Sequence, residues 1–141
     1  MSGVARVLVI DDEPDVLLLC RVNLSHAGHE VLESLDGYRG VELARAERPD
    51  AIVLDLMLPA RDGVEVLGLL ASDEETRDIP VMMLSAKTLR ADRERCLAAG
   101  ALAYLTKPFS PIELIDMVKT LSELTAEELD DLRSGARSLA G

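Results

Sequence analysis

Three short runs along the chain are apolar without interruption, and each stops abruptly at a polar residue. Val7-Leu8-Val9-Ile10 halts at Asp11-Asp12, Ala51-Ile52-Val53-Leu54 at Asp55, and Val81-Met82-Met83-Leu84 at Ser85. Runs this short with no polar face read as strands buried on both sides, as in a parallel sheet. A weaker alternating segment over 30–35 reads as an edge strand, and 102–105 as a fifth strand. Between them the spacing is helical, over about 14–27, 38–48, 64–71, 89–99 and 111–121. Pro14 and Pro111 suit first-turn positions, and Gly28 and Gly100 suit the stop after a helix. Five successive β–α units of this kind predict an α/β doubly wound sheet with right-handed crossovers.

That architecture says where chemistry belongs. In open α/β sheets, sites gather beyond the carboxyl ends of the strands, near the point where strand order reverses. The polar residues at those ends are Asp11, Asp12 and Glu13 after the first strand, Asp55 after the third, Ser85 after the fourth, and Thr106-Lys107-Pro108 after the fifth. Clustered carboxylates raise one another's pKa unless a cation relieves them. An all-oxygen site with few protein ligands is what Mg²⁺ accepts, because it keeps several of its waters. Lys107 adds a positive charge of another kind. A phosphoryl group matches the set, since its oxygens can be shared between metal, ammonium and hydroxyl. Asp55 is then the natural nucleophile, forming an acyl phosphate.

Composition narrows the alternatives. Hydrophobic residues make up 48% of the 141, which is incompatible with global disorder. Aromatics are only 2%, so the core is aliphatic and no ring-lined pocket for sugars or bases is expected. A formal charge of −11 argues against nonspecific binding to nucleic acid or anionic membrane. No apolar run approaches the roughly 20 residues needed to cross a bilayer, and the first residues carry no secretory pattern. Cys20 and Cys96 lack zinc-type spacing and read as small core residues. A soluble cytoplasmic protein is the expectation. His26 and His29, bracketing the turn after the first helix, read as surface residues.

Four stretches together resemble the receiver domain of bacterial two-component response regulators. They are Val7-Leu8-Val9-Ile10-Asp11-Asp12-Glu13-Pro14, the segment from Asp55-Leu56-Met57-Leu58-Pro59 to Asp62-Gly63, Pro80 through Ser85-Ala86, and Tyr104-Leu105-Thr106-Lys107-Pro108-Phe109. In order and spacing they cover roughly residues 4–121. The resemblance implies a flavodoxin-like five-stranded parallel sheet, strand order 2-1-3-4-5, with five flanking helices and a short C-terminal helical extension. It implies that Asp55 is a phosphoacceptor, served by a sensor histidine kinase or a histidine phosphotransfer protein. Asp12 and Asp55 would hold Mg²⁺ directly, Asp11 through a water, and the Met57 backbone carbonyl would complete the protein ligands. Lys107 would pair with Asp55 at rest and with the phosphoryl group afterwards. Ser85 and the backbone N–H of Ala86 would hydrogen-bond the phosphoryl oxygens. Tyr104 stands where the family carries an aromatic switch coupled to Ser85, and the Lys107–Pro108 bond is expected cis. Met57 and Lys87 occupy positions that tune phosphoryl lifetime, and Met57, unable to orient an attacking water, implies slow self-dephosphorylation.

The same resemblance makes the chain no enzyme in the ordinary sense, since it would promote its own phosphorylation and dephosphorylation without turning over a separate substrate. Its switched surface would be the fourth helix, fifth strand and fifth helix, meeting a downstream protein, an output domain or a second copy of the chain. No direct nucleic-acid binding or membrane insertion is expected of it. The first helix carries more apolar residues than one buried stripe needs, so Leu17 or Leu18 is expected to face outward, where the family docks its kinase.

The receiver-like part is expected over 4–122, with 123–141 a helical extension or linker. Thr125-Ala126-Glu127-Glu128 reads as a capping box opening a helix to about Arg133, and 134–141 as a frayed end. The chain is either a stand-alone receiver or part of a longer one. Taken singly, each site residue has an ordinary reading: Asp11 and Asp12 as helix-cap or loop acids, Ser85 as a loop hydroxyl, Lys107 as a surface lysine, Tyr104 as half-buried packing. Two other functions compete. A haloacid-dehalogenase-type phosphatase needs a second Asp two residues after the nucleophile, where this chain has Met57. A phosphorylation-independent scaffold would not need the full acidic set with Lys107.

Overall fold

The computed structural model describes residues 4–59 and 62–135. Five parallel strands form one sheet: β1 Arg6–Ile10, β2 Glu30–Ser34, β3 Ala51–Asp55, β4 Val81–Ser85 and β5 Ala103–Thr106. Their order is β2-β1-β3-β4-β5. The helices are α1 Pro14–His26, α2 Gly37–Glu47, α3 Gly63–Ser72, α4 Arg90–Ala98, α5 Pro111–Ser122 and α6 Ala126–Ser134. The chain turns one way from β1 to β2 and the other way from β3 onward, which puts the reversal of strand order between β1 and β3.

The uninterrupted apolar runs have a simple cause: successive side chains of a strand point to opposite faces, and both faces are covered. Leu8, Ile10, Ile52, Leu54, Val81 and Met83 pack with Val41 and Ala44 of α2, Val66, Leu67 and Leu70 of α3, and Cys96 of α4. Their neighbours Val7, Val9, Ala51, Val53, Met82 and Leu84 pack with Leu17, Cys20 and Leu24 of α1 and Leu114, Val118 and Leu121 of α5. β2, at the sheet edge, is only partly covered.

Several details differ from the sequence reading. β2 stops at Ser34, because Leu35 has turned out to solvent at 55% exposure. Of the two candidates for an outward leucine on α1, Leu17 is buried and Leu18 is exposed; Leu19 and Val22 join it outside. His29 is a correction. It is buried, and its Nδ1 accepts the N–H of Ala5 at 3.0 Å, tying the start of β1 to the turn that enters β2. Cys20 and Cys96 are both fully buried thiols, and burial pushes Cys20 up to about 12.

α6 has a complete capping box: the Thr125 hydroxyl accepts the Glu128 N–H at 3.1 Å, and the Glu128 carboxylate accepts the Thr125 N–H at 3.0 Å. Leu129 is buried, and the Arg133 guanidinium donates to the carbonyls of Arg77 and Ile79 just before β4. The helix includes Ser134 and ends at Gly135 in the left-handed conformation, φ 83°. Of the end expected to fray, residues 136–141 lie outside the described residues. Thr125→Ala is expected to cost about 1 kcal/mol, concentrated in α6, and amide exchange should accelerate there first.

Candidate functional site

Asp11 and Asp55 lie at the carboxyl ends of the two strands flanking the reversal point. Asp11 is fully buried; its N–H donates to the Ser34 carbonyl at 3.0 Å, and its Oδ1 accepts the Glu13 N–H at 2.9 Å. That turn feeds directly into α1, where Pro14 fits because the first helical N–H has no partner in any case. Asp55, 2% exposed, accepts the Met57 N–H on Oδ1 at 3.0 Å, so Oδ2 is left to face the cleft. The following loop is pinned by the Gly63 N–H on the Leu56 carbonyl at 2.7 Å and by a bridge between Met57 and Asp62. Asp62 then caps α3, accepting the Val64 N–H at 2.9 Å.

Lys107 reaches into this cleft from the end of β5. Its Nζ lies 2.9 Å from Glu13 Oε1, 3.1 Å from Asp11 Oδ2 and 3.4 Å from Asp55 Oδ2. One carboxylate oxygen each from Asp11, Asp12, Glu13 and Asp55 falls within 4.8 Å of the others. Three of the four, Asp11, Glu13 and Asp55, therefore share one ammonium. Burial pushes Asp55 up to about 6, with the charge of Asp11 adding to the effect and the Met57 N–H and Lys107 opposing it. Asp11 is raised as well, again chiefly by burial. Burial alone would lower Lys107, but the carboxylates of Glu13 and Asp11, with Asp55 behind them, reverse this and hold it above its ordinary range.

The arrangement fits a divalent cation. Asp11 Oδ2 touches the ammonium as an ion pair but accepts no well-formed hydrogen bond, although it is buried. A buried carboxylate oxygen in that condition is costly. Hard oxygen donors alone, without sulfur or nitrogen, suit Mg²⁺ and its neighbours in the oxygen-seeking class.

The remaining candidates sit around this centre rather than in it. Ser85 is fully buried at the end of β4; its Oγ accepts the Lys87 N–H at 3.0 Å, and its carbonyl accepts the Lys107 N–H at 2.8 Å. Accepting that bond leaves the hydroxyl proton free to donate. Ala86 follows it on the exposed rim, and the Met57 side chain is exposed beside Asp55. Tyr104 does not enter the cleft. Its hydroxyl donates to the Lys87 carbonyl at 2.8 Å, and the Arg93 guanidinium lies over its ring, 5.4 Å from the centroid. The Lys107–Pro108 peptide bond is cis. Two partners were not foreseen from the sequence: Glu13 as the nearest acid to Lys107, and the Lys87 carbonyl as the acceptor for Tyr104. The first could have been suspected from three consecutive acids ahead of a helix; the second leaves no mark on side-chain identity.

A five-stranded 2-1-3-4-5 sheet with an acidic cluster and a lysine at its switch point places its site where open α/β domains carry theirs. The sequence model of the response regulator receiver domain matches residues 7–119, and the chain belongs to that family. Among curated proteins it is 44% identical over 120 residues to the DNA-binding dual master transcriptional regulator RpaA of Synechocystis, covering 85% of this chain and 50% of the relative. The chain spans about half the length of the curated relatives it matches. Among solved structures, the receiver domain of the Pseudomonas aeruginosa sensor histidine kinase PA1611, with magnesium coordinated in its active site cleft, aligns at a TM-score of 0.79 and 32% identity. That alignment covers 85% of this chain and 98% of the other. The receiver domain of Francisella response regulator 1452 aligns at 0.78 and 32%, covering 84% and 97%. No helix among the described residues is long and apolar enough to cross a membrane.

Proposed function

We propose that this receiver domain takes a phosphoryl group on Asp55 from a phosphohistidine of a sensor histidine kinase or histidine phosphotransfer protein. The observation that carries the reading is the pairing of a nearly buried strand-end carboxylate with Lys107 at 3.4 Å, inside a group of four acids. Asp55 Oδ2 attacks phosphorus, the O–P bond forms as the P–N bond breaks, and the electron pair leaves on the imidazole nitrogen. Lys107 compensates the negative charge that arrives with the phosphoryl oxygens, and the free proton of the Ser85 hydroxyl and the Ala86 N–H donate to them. Asp11, Asp12, Asp55 and the Met57 carbonyl are the groups that would hold Mg²⁺, which supplies charge neutralisation for the transferring group.

On this reading the domain promotes its own phosphorylation and dephosphorylation and turns over no separate substrate. Met57 and Lys87 border the reaction centre and set how long the phosphoryl group survives. The added charge draws on Ser85 and, through the Lys87 segment that both Ser85 and Tyr104 hold, alters the surface of α4, β5 and α5. That surface meets a downstream protein, an output domain or a second copy of the chain. The domain works in the cytoplasm, without inserting into a membrane or itself contacting nucleic acid. The receiver body is 4–122 and the remainder is an extension or linker.

Intact mass after incubation with acetyl phosphate and Mg²⁺ tests the reading. Wild type is expected to gain one labile phosphoryl group and Asp55→Asn none. Failure of wild type to gain mass, with Mg²⁺ binding demonstrated by calorimetry, would favour a scaffold that recognises partners without phosphorylation.

A further inference from the structure

Lys107 contacts three carboxylates, and they are unequal. Asp11 and Asp55 have side chains 0% and 2% exposed, whereas the Glu13 side chain is 58% exposed; yet Glu13 is the closest, at 2.9 Å. An ammonium has three N–H bonds to give; Glu13 Oε1 and Asp55 Oδ2 accept hydrogen bonds from it, and Asp11 Oδ2 is held as an ion pair. A phosphoryl group arriving on Asp55 ends the present Oδ2 contact by esterifying that oxygen, but it brings three more strong acceptors, which compete with Glu13 for the ammonium. In the absence of a divalent cation, Asp11 and Asp55 cannot exchange Lys107 for water without leaving a buried charge unpaired. Glu13 can, because water already reaches it, and an exposed ion pair is worth little. Its position has a second effect: an exposed carboxylate stands against the ammonium that a dianionic donor must engage.

We infer that Glu13 is a positioning residue that gates the cleft: at rest its carboxylate takes the place on Lys107 that a phosphoryl oxygen claims during transfer, and it must swing into water before an anionic donor can engage. This rests on the phosphoacceptor reading of Asp55. Glu13 neither attacks nor leaves. It keeps the ammonium extended toward Asp55 and competes with the donor for it. The gate therefore acts on how readily the donor engages, and only weakly on the transfer step once it has. It also discriminates by donor charge, since what it withholds is a cation.

The test follows phosphorylation by time-resolved intact mass, at Mg²⁺ saturating for each protein, across a range of acetyl phosphate concentrations. Wild type is compared with Glu13→Gln and with Asp15→Asn, which removes the same charge two residues away in the exposed first turn of α1. Glu13→Gln is expected to lower the half-saturating acetyl phosphate concentration about two- to fivefold, the range an exposed ion pair implies, with the rate at saturation little changed. Phosphoramidate, which carries less negative charge, should gain less from the substitution, and Asp15→Asn should reproduce neither change. Equal gains from Glu13→Gln and Asp15→Asn would reduce the effect to net charge and overturn the gate. A slower Glu13→Gln, with wild type active, would overturn it by making Glu13 an aid to transfer. Wild type that binds Mg²⁺ but takes no phosphoryl group from either donor would overturn the phosphoacceptor reading itself, and the gate with it.

Discussion

Lys107→Ala should destabilise the metal-free protein by about 3 kcal/mol or more, while Asp55→Asn should stabilise it by about 1–3 kcal/mol. The two effects share one cause. Without a divalent cation, Lys107 is, among the described residues, the only positive charge in contact with Asp11, Glu13 and Asp55, beside which Asp12 also lies. Removing it leaves two buried carboxylates facing each other, and that is the costly way to break a buried pair. Removing the charge of Asp55 instead relieves the repulsion. The pH dependence follows from direction: Asp55 is raised from 3.8 to about 6 in the folded chain. Its folded form thus prefers the proton, and the cost of ionising it is absent below about pH 4 and fully developed above about pH 6. The gain from Asp55→Asn should therefore be largest at pH 7–8 and fade on acidification. Urea unfolding followed by circular dichroism in EDTA measures both. A loss of less than 1 kcal/mol for Lys107→Ala at pH 7.5 would mean that the acids had already shed their charge.

Gly63→Ala should be the most damaging small substitution near the site. A Cβ there would lie 2.5 Å from the Asp55 carbonyl oxygen, 2.6 Å from Leu56 Cα and 2.8 Å from the Leu56 carbonyl oxygen. All three are backbone atoms, so no side chain can swing away, and the segment that must move carries Asp55 itself. The expected cost is about 3 kcal/mol, with phosphoryl uptake slowed beyond what lost stability explains. Gly68 is the contrast. It lies within α3 with nothing within 4 Å of an added Cβ, and Gly68→Ala should stabilise by about 0.5–1 kcal/mol. Paired unfolding curves would separate the two. A tolerated Gly63→Ala would show that the loop has a second conformation in which Asp55 is not held by it.

The elements most legible in the sequence were those governed by local rules. Runs such as Val7–Ile10 could only be strands with two covered faces, and Pro14, Pro111, Gly28 and Gly100 marked helix ends. The acids after β1 and β3 were legible as a site because topology alone brings those strand ends together. What stayed hidden depends on side chains distant in the chain. Glu13 and Lys107 are 94 residues apart, and any of three more acids could have been the lysine's nearest partner. His29 looked like a surface residue because its hydrogen-bond partner, the Ala5 N–H, comes from 24 residues away at the start of β1. Leu17 and Leu18 are equivalent in composition, and only the rotation of α1 on the sheet tells them apart.

The covering of the sheet is uneven, and that has a mechanical side. α5 is fastened through Leu114, Val118 and Leu121, whereas α4 contributes only Cys96 to the buried interior. By burial of apolar surface, shifting α4 forfeits one thiol-sized anchor, and shifting α5 forfeits three aliphatic ones. A grip closed across β5 thus has one jaw bolted to the frame and one sprung.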